Sequence, residues 1–141
     1  MALICDTGAV YALYDADDMH HGAATALLGV ETGPLFLPVL LLAEIDYLLT
    51  TRLGAAAGID FLESIEQGAF TVIPLLIEDV ARCREIMVQY RDLKVGLADA
   101  TVVVTAERLK IQRVFTFDQR HFRALQPRGL GSFIILPADR G

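Results

Sequence analysis

Four short runs rich in branched and aromatic residues recur along the chain, at Ala2 to Cys5, Leu35 to Leu37, Phe70 to Ile73 and Arg113 to Phe117. Segments with helical character separate them. Strands that alternate with helices are joined by crossovers, and crossovers make neighbouring strands parallel, so the pattern predicts βαβ units rather than hairpins. A fifth run, Ser132 to Leu136, adds an edge strand. The expectation is an α/β domain spanning residues 1–141, a three-layer α/β/α sandwich around a mostly parallel sheet of four to five strands.

The helical segments differ in character. Val80, Cys83, Ile86, Met87 and Tyr90 fall at helical intervals, with Glu78 and Asp79 in the first turn where the helix dipole favours acids. An amphipathic surface helix is expected there. Val39 to Leu49 and Leu97 to Leu109 are apolar on most faces, as helices packed between a sheet and other helices are. Thr101-Val102-Val103-Val104-Thr105 has strand propensity, but the length of the segment through Leu109 favours a helix. Ala55-Ala56-Ala57-Gly58 begins another helix after Gly54, and Ala9 to Ala16 is helical in character.

An apolar fraction of 54% and a mean hydropathy of +0.46 predict a sheet buried on both faces or an apolar surface that pairs with a partner. An oligomer is expected. Pro38 breaks the longest apolar run, Leu35 to Ala43, which is about half of what a bilayer crossing requires. The N-terminus has no basic region, and Asp6 interrupts its apolar stretch, so the expected location is the cytoplasm, with no membrane partner. Cys5 and Cys83 lack metal-ligand spacing and read as small buried hydrophobes.

The net charge of −6 argues against simple electrostatic attraction to nucleic acid, but the charge is unevenly spread. From Met1 to Thr51 there are seven acids and no Lys or Arg. From Arg108 to Arg128 six basic residues face Asp118 alone. One reading is ordinary surface scatter; the sharper one is an acidic centre beside a basic rim.

Most acids sit where solvated acids should: Asp15, Asp17 and Asp18 form a polar turn, and Glu63 and Glu66 lie on the polar side of a helix. Four do not fit. Asp6 follows Ala-Leu-Ile-Cys, Glu44 lies in Val-Leu-Leu-Leu-Ala-Glu-Ile, Asp99 in Val-Gly-Leu-Ala-Asp-Ala, and Asp118 follows Val-Phe-Thr-Phe. Each is embedded in sequence expected to be buried, where an ionised carboxylate costs several kcal/mol unless it is paired, hydrogen-bonded or bound to a cation. No Lys or Arg stands in these runs, so a cation is the simplest answer. Asp6 and Asp118 fall at the carboxyl ends of predicted strands, the edge at which open α/β sheets bind ligands.

Carboxylate-only ligation suits Mg²⁺ or Mn²⁺, and the matching reaction is metal-assisted phosphodiester hydrolysis. Asp46 rivals Glu44: it lies about 200° around a helix from it, so the two do not share one site, and periodicity does not choose. Asp6-Thr7-Gly8 is also the tripeptide of pepsin-like and retroviral proteases, but those need a largely antiparallel β fold. A dehalogenase-type phosphatase would carry a second Asp where Gly8 stands.

The acids resemble the pattern of PIN-domain ribonucleases, in particular the short VapC-type toxins of VapBC toxin-antitoxin systems. Asp6-Thr7 after the first strand, Ala-Glu-Ile-Asp-Tyr-Leu-Leu around Glu44, Leu97-Ala98-Asp99-Ala100 opening a helix, and Thr116-Phe117-Asp118-Gln119-Arg120-His121-Phe122 after a late strand carry the resemblance. It implies a PIN-like, Rossmann-like fold and an acidic quartet, Asp6, Glu44, Asp99 and Asp118, holding Mg²⁺ or Mn²⁺, with Glu44 rather than Asp46 in the family position. Thr116 would orient the acids or the attacking water, and Thr7 less directly. It further implies cleavage of RNA, often tRNA or rRNA, a homodimer, and inhibition by a cognate VapB-type antitoxin. Gly8 departs from the Ser of many relatives. Arg120, His121 and Arg123 are candidate contacts to the RNA backbone. A rival of another class is a PIN-like RNA- or protein-binding module without turnover, for which four buried acids are more than the task requires.

Overall fold

The computed structural model describes residues 1–140. Five strands, β1 (Leu3–Cys5), β2 (Leu35–Pro38), β3 (Thr71–Ile73), β4 (Arg113–Phe115) and β5 (Ile134–Leu136), form one sheet in the order β3-β2-β1-β4-β5. Every pairing is parallel; in register, Ile4 lies opposite Phe36 on one side and Val114 on the other. The expected fold class holds, with the sheet entirely parallel and β5 at its edge. Strand ends differ from the sequence reading by a residue or two.

Seven helices accompany the strands among the described residues: α1 (Thr7–Tyr14), α2 (His21–Val30), α3 (Leu41–Leu53), α4 (Ala55–Glu66), α5 (Ile77–Gln89), α6 (Leu97–Leu109) and α7 (Gln119–Ala124). From β1 the sheet grows through β2 to β3 in one direction, and through β4 to β5 in the other. Right-handed crossovers therefore put α1 to α4 on one face and α5 to α7 on the opposite one. The packing follows this division: α1 meets α2 and α3, α3 meets α4, and α5 meets α6. Sandwiched in the middle, Leu3, Ile4 and Cys5 are fully buried.

The run Thr101 to Thr105 is helical despite its strand propensity because α6 is buried against the sheet and α5; Ala100 through Ala106 are all buried. Its two threonines satisfy their hydroxyls within the helix: Thr101 donates to the Ala98 carbonyl and Thr105 to the Thr101 carbonyl, both at 2.7 Å. On α5 the inward face is Asp79, Cys83 and Ile86; Val80 and Met87, which periodicity also places on the apolar seam, remain partly exposed. The Asp79 carboxylate accepts the Leu76 N–H at 2.8 Å and pairs with Arg108 of α6. Beside it Arg82 grips Glu107 with two hydrogen bonds of 2.9 Å.

These pairs weigh toward ordinary surface pairing over a basic rim beside the acids. Arg108 pairs with Asp79, Arg113 with Glu31, Arg123 with Asp139 and Arg128 with Glu85, so most of the basic stretch clamps elements together. No helix among the described residues is long and apolar enough to cross a membrane.

On α3, Leu41, Ile45 and Leu49 recur at four-residue spacing and are fully buried, which orients the helix and with it Glu44. Leu49→Ala is expected to lower stability by about 2–5 kcal/mol and Ile45→Val by about 0.5–1.5 kcal/mol. Urea unfolding at an unchanged m-value measures both.

Candidate functional site

Strand order reverses between β1 and β4, so the chains leaving these strands part and open a crevice at the carboxyl edge. Asp6 and Thr116 are the first residues beyond the two strands. The Asp6 N–H donates to the Phe115 carbonyl at 3.0 Å and prolongs the β1–β4 pairing to the rim. The Thr116 hydroxyl then joins both sides: it donates to Asp6 Oδ2 at 2.8 Å and accepts the Asp118 N–H at 3.0 Å.

Four helix N-termini carry the four acids. Asp6 is the N-cap of α1 and Asp118 the N-cap of α7, where its Oδ1 accepts the His121 N–H at 3.1 Å. Asp99 stands in the first turn of α6 and Glu44 in the first turn of α3. The positive ends of the helix dipoles favour carboxylates at all four positions. Asp6 is 8% exposed, and Asp99 and Asp118 are half-buried. Glu44 is exposed, contrary to its apolar sequence context: its neighbours Leu41 and Ile45 face the core, and the helical turn swings Glu44 outward.

Burial raises the Asp6 carboxyl from its ordinary 3.8 to about 7; the charges of Asp99 and Asp118 push the same way, while the Thr116 hydrogen bond opposes them. Asp99 is raised as well, first by burial and then by Asp118 and Glu44, against an opposing contribution from His121. Glu44, although exposed, is thus close enough for its charge to act on Asp99. Among the described residues no Lys or Arg forms an ion pair with any of the four acids.

The structure does separate Asp46 from Glu44. Asp46 accepts the Thr50 hydroxyl at 3.4 Å and faces α4, where a Cβ on Gly58 would lie 2.6 Å from Asp46 Oδ1. The glycine permits this close approach of α3 and α4. Thr7 is buried, and its hydroxyl has no hydrogen-bond partner among the described residues. Arg120 is exposed, and Arg123 is bound to Asp139.

His121 does not face outward as a backbone contact would. Its Nδ1 lies 3.0 Å from Asp99 Oδ2 and 3.0 Å from Asp118 Oδ2, buried and aligned for a hydrogen bond with neither. Asp99, Asp118 and His121 present ligand-type atoms all within 4.8 Å of one another. The signal for this was available: His121 follows Asp118 by three residues, a spacing that stacks side chains on one helix face.

The fold is an open parallel α/β sheet with carboxylates gathered at its switch point. The PIN domain model matches residues 3–126, and the chain belongs to the PIN-domain family. It is 33% identical over 135 residues to Ribonuclease VapC26 of Mycobacterium tuberculosis, which covers 96% of this chain and 100% of that protein. The crystal structure of Mycobacterium tuberculosis VapC20, described as a sarcin-ricin loop cleaving toxin, superposes with a TM-score of 0.77 at 23% identity, over 83% of this chain and 90% of that one. VapBC2 from Rickettsia felis, bound to a DNA fragment from its promoter, gives 0.69 at 12% identity, over 96% and 97%.

In the fold Asp6 keeps its proton to about pH 7, whereas in the unfolded chain it ionises near 3.8. Folding therefore takes up a proton between these values, and stability from this group falls as pH rises through that window. Asp6→Asn is expected to raise the melting temperature of the metal-free protein by roughly 3–6 °C at pH 8, with little change at pH 4, read from thermal melts in chelator. Thr116→Val, which orphans the Asp118 N–H and removes the donor to Asp6, is expected to cost about 1–3 kcal/mol in denaturant unfolding, and Thr116→Ser much less.

Proposed function

We propose that this chain is a divalent-metal-dependent endoribonuclease, the toxin of a type II toxin-antitoxin pair, with Mg²⁺ or Mn²⁺ held by Asp6, Asp99 and Asp118 and with Glu44 at the mouth. The observation that carries the reading is charge crowding: three carboxylates and a nearby fourth share one crevice, and no Lys or Arg pairs with them. The donor set fits a hard cation, and the orphaned buried Nδ1 of His121 between two carboxylates fits a missing positive charge.

A divalent ion supplies neutralisation of phosphate charge and a more acidic water. The chain's own residues do the rest. Thr116 fixes the rotation of the Asp6 carboxylate, and its bond to the Asp118 N–H sets where α7 begins, so one hydroxyl holds two acids at a constant separation. Asp118 is further oriented by its cap to His121. Of the three candidate RNA-backbone contacts, Arg120 is exposed and outside the ion pairs of the described residues, which suits a phosphate contact; Arg123 reaches RNA only by sharing its guanidinium with Asp139.

The curated relative named a ribonuclease supports RNA as substrate, and the toxin described as cleaving the sarcin-ricin loop supports a structured RNA such as rRNA or tRNA. A solved structure of the same fold described as a toxin-antitoxin complex from Klebsiella pneumoniae supports a VapB-type antitoxin partner. Ile77, Val80 and Val88 expose apolar side chains on α5 and support a homodimer. The proposed place of action is the cytoplasm, where RNA substrate and antitoxin meet.

Purified protein is expected to cleave folded RNA with Mg²⁺ or Mn²⁺ and to stop in chelator, and Asp99→Asn is expected to lose at least about a hundredfold in rate while its circular dichroism is unchanged. Parent-rate cleavage by the variant would remove Asp99 from the centre. Expression alone is expected to arrest growth, and co-expression of the adjacent small gene to restore it.

A further inference from the structure

We propose that His121 is a nitrogen ligand of the centre, making it a mixed nitrogen and oxygen site rather than an all-carboxylate one. This rests on the metal-centre reading above and adds a residue to it. Three observations on the ring carry the inference. His121 Nε2 lies 3.2 Å from the Leu93 carbonyl, and a carbonyl oxygen only accepts, so Nε2 bears a proton. Ligating histidines are characteristically held in this way, by the far N–H on a backbone carbonyl.

With Nε2 turned to the Leu93 carbonyl, Nδ1 is the ring atom that faces the two carboxylates. Nδ1 is buried, and carboxylate oxygens of Asp99 and Asp118 both lie 3.0 Å from it. Three electron-rich atoms facing one another repel unless positive charge lies among them. A cation supplies it well: adjacent ligands on an octahedral ion with bonds of about 2.1 Å lie about 3.0 Å apart, the separation found from Nδ1 to each oxygen.

An imidazole nitrogen shifts preference away from Mg²⁺ toward Mn²⁺ and the later first-row ions, since Mg²⁺ favours oxygen and binds nitrogen poorly. His121 thus acts as a specificity-determining ligand, holding the ion by the side of α7 that carries Asp118.

The test uses the full chain with Mn²⁺ as probe, followed by electron paramagnetic resonance. Bound Mn²⁺ is expected to show directly bonded nitrogen hyperfine coupling that changes on isotopic labelling of histidine and disappears in His121→Ala. The same variant is expected to lose roughly tenfold in Mn²⁺ affinity and less than about threefold in Mg²⁺ affinity, measured by competition. If His121→Ala fails to fold, the labelled parent protein still reports whether a histidine nitrogen is bound. Bound Mn²⁺ without histidine coupling, or tighter Mn²⁺ binding in His121→Ala, overturns the proposal and leaves the metal centre intact. Failure of the parent protein to bind Mn²⁺ overturns both.

Discussion

The Thr116 hydroxyl donates to Asp6 and accepts from the Asp118 backbone, and the geometry of the crevice depends on this two-way bridge. It spans the point where the sheet changes direction, so the carboxylate after β1 and the start of α7 after β4 are held in one frame. A side chain with both a donor and an acceptor on one atom is needed, because one neighbour is a carboxylate and the other an N–H. The bridge is buried, where each lost hydrogen bond leaves a polar group with no water to replace it.

Around that bridge the fold separates two kinds of buried acid. Asp79 is closed off by Arg108 and the Leu76 N–H. Burial works against the charge on Glu107, but Arg82 and the Arg128 N–H more than offset it and hold its carboxyl below the ordinary range. Neither Asp6 nor Asp99 has a Lys or Arg partner, and burial pushes both up although the Thr116 hydroxyl and the His121 ring oppose it. Six of the twelve Lys and Arg residues, Arg82, Arg108, Arg113, Arg123, Arg128 and Arg140, form ion pairs among the described residues, none with the four acids. Burial alone therefore does not set these acids apart; burial without a Lys or Arg partner does.

Asp79 shows why sequence context under-reports such distinctions. It stands beside Glu78 in the first turn of α5 and reads as a partner of the helix dipole, yet it is buried and paired with Arg108 of α6. Glu44 shows the converse. Its flanks are apolar, but those side chains face the core, and the acid is carried outward on the next part of the turn. His121 reads as one more basic residue on a helix end, and only the placement of α6 beside α7 turns its ring onto Asp99.

Periodicity and local propensity were enough to determine the strands, most helices, their alternation and hence a parallel α/β sheet, because these depend on neighbours within a few residues. The four acids were also legible, since an acid amid apolar sequence is a local anomaly. Strand order was not, and with it the crevice between β1 and β4, because the choice of neighbouring strand is decided by packing between distant segments. Nor did the sequence separate the acids with an ion-pair partner from those without, or turn the His121 ring inward. Those follow from electrostatics and burial, which exist only once the helix N-termini are brought to the same edge of the sheet.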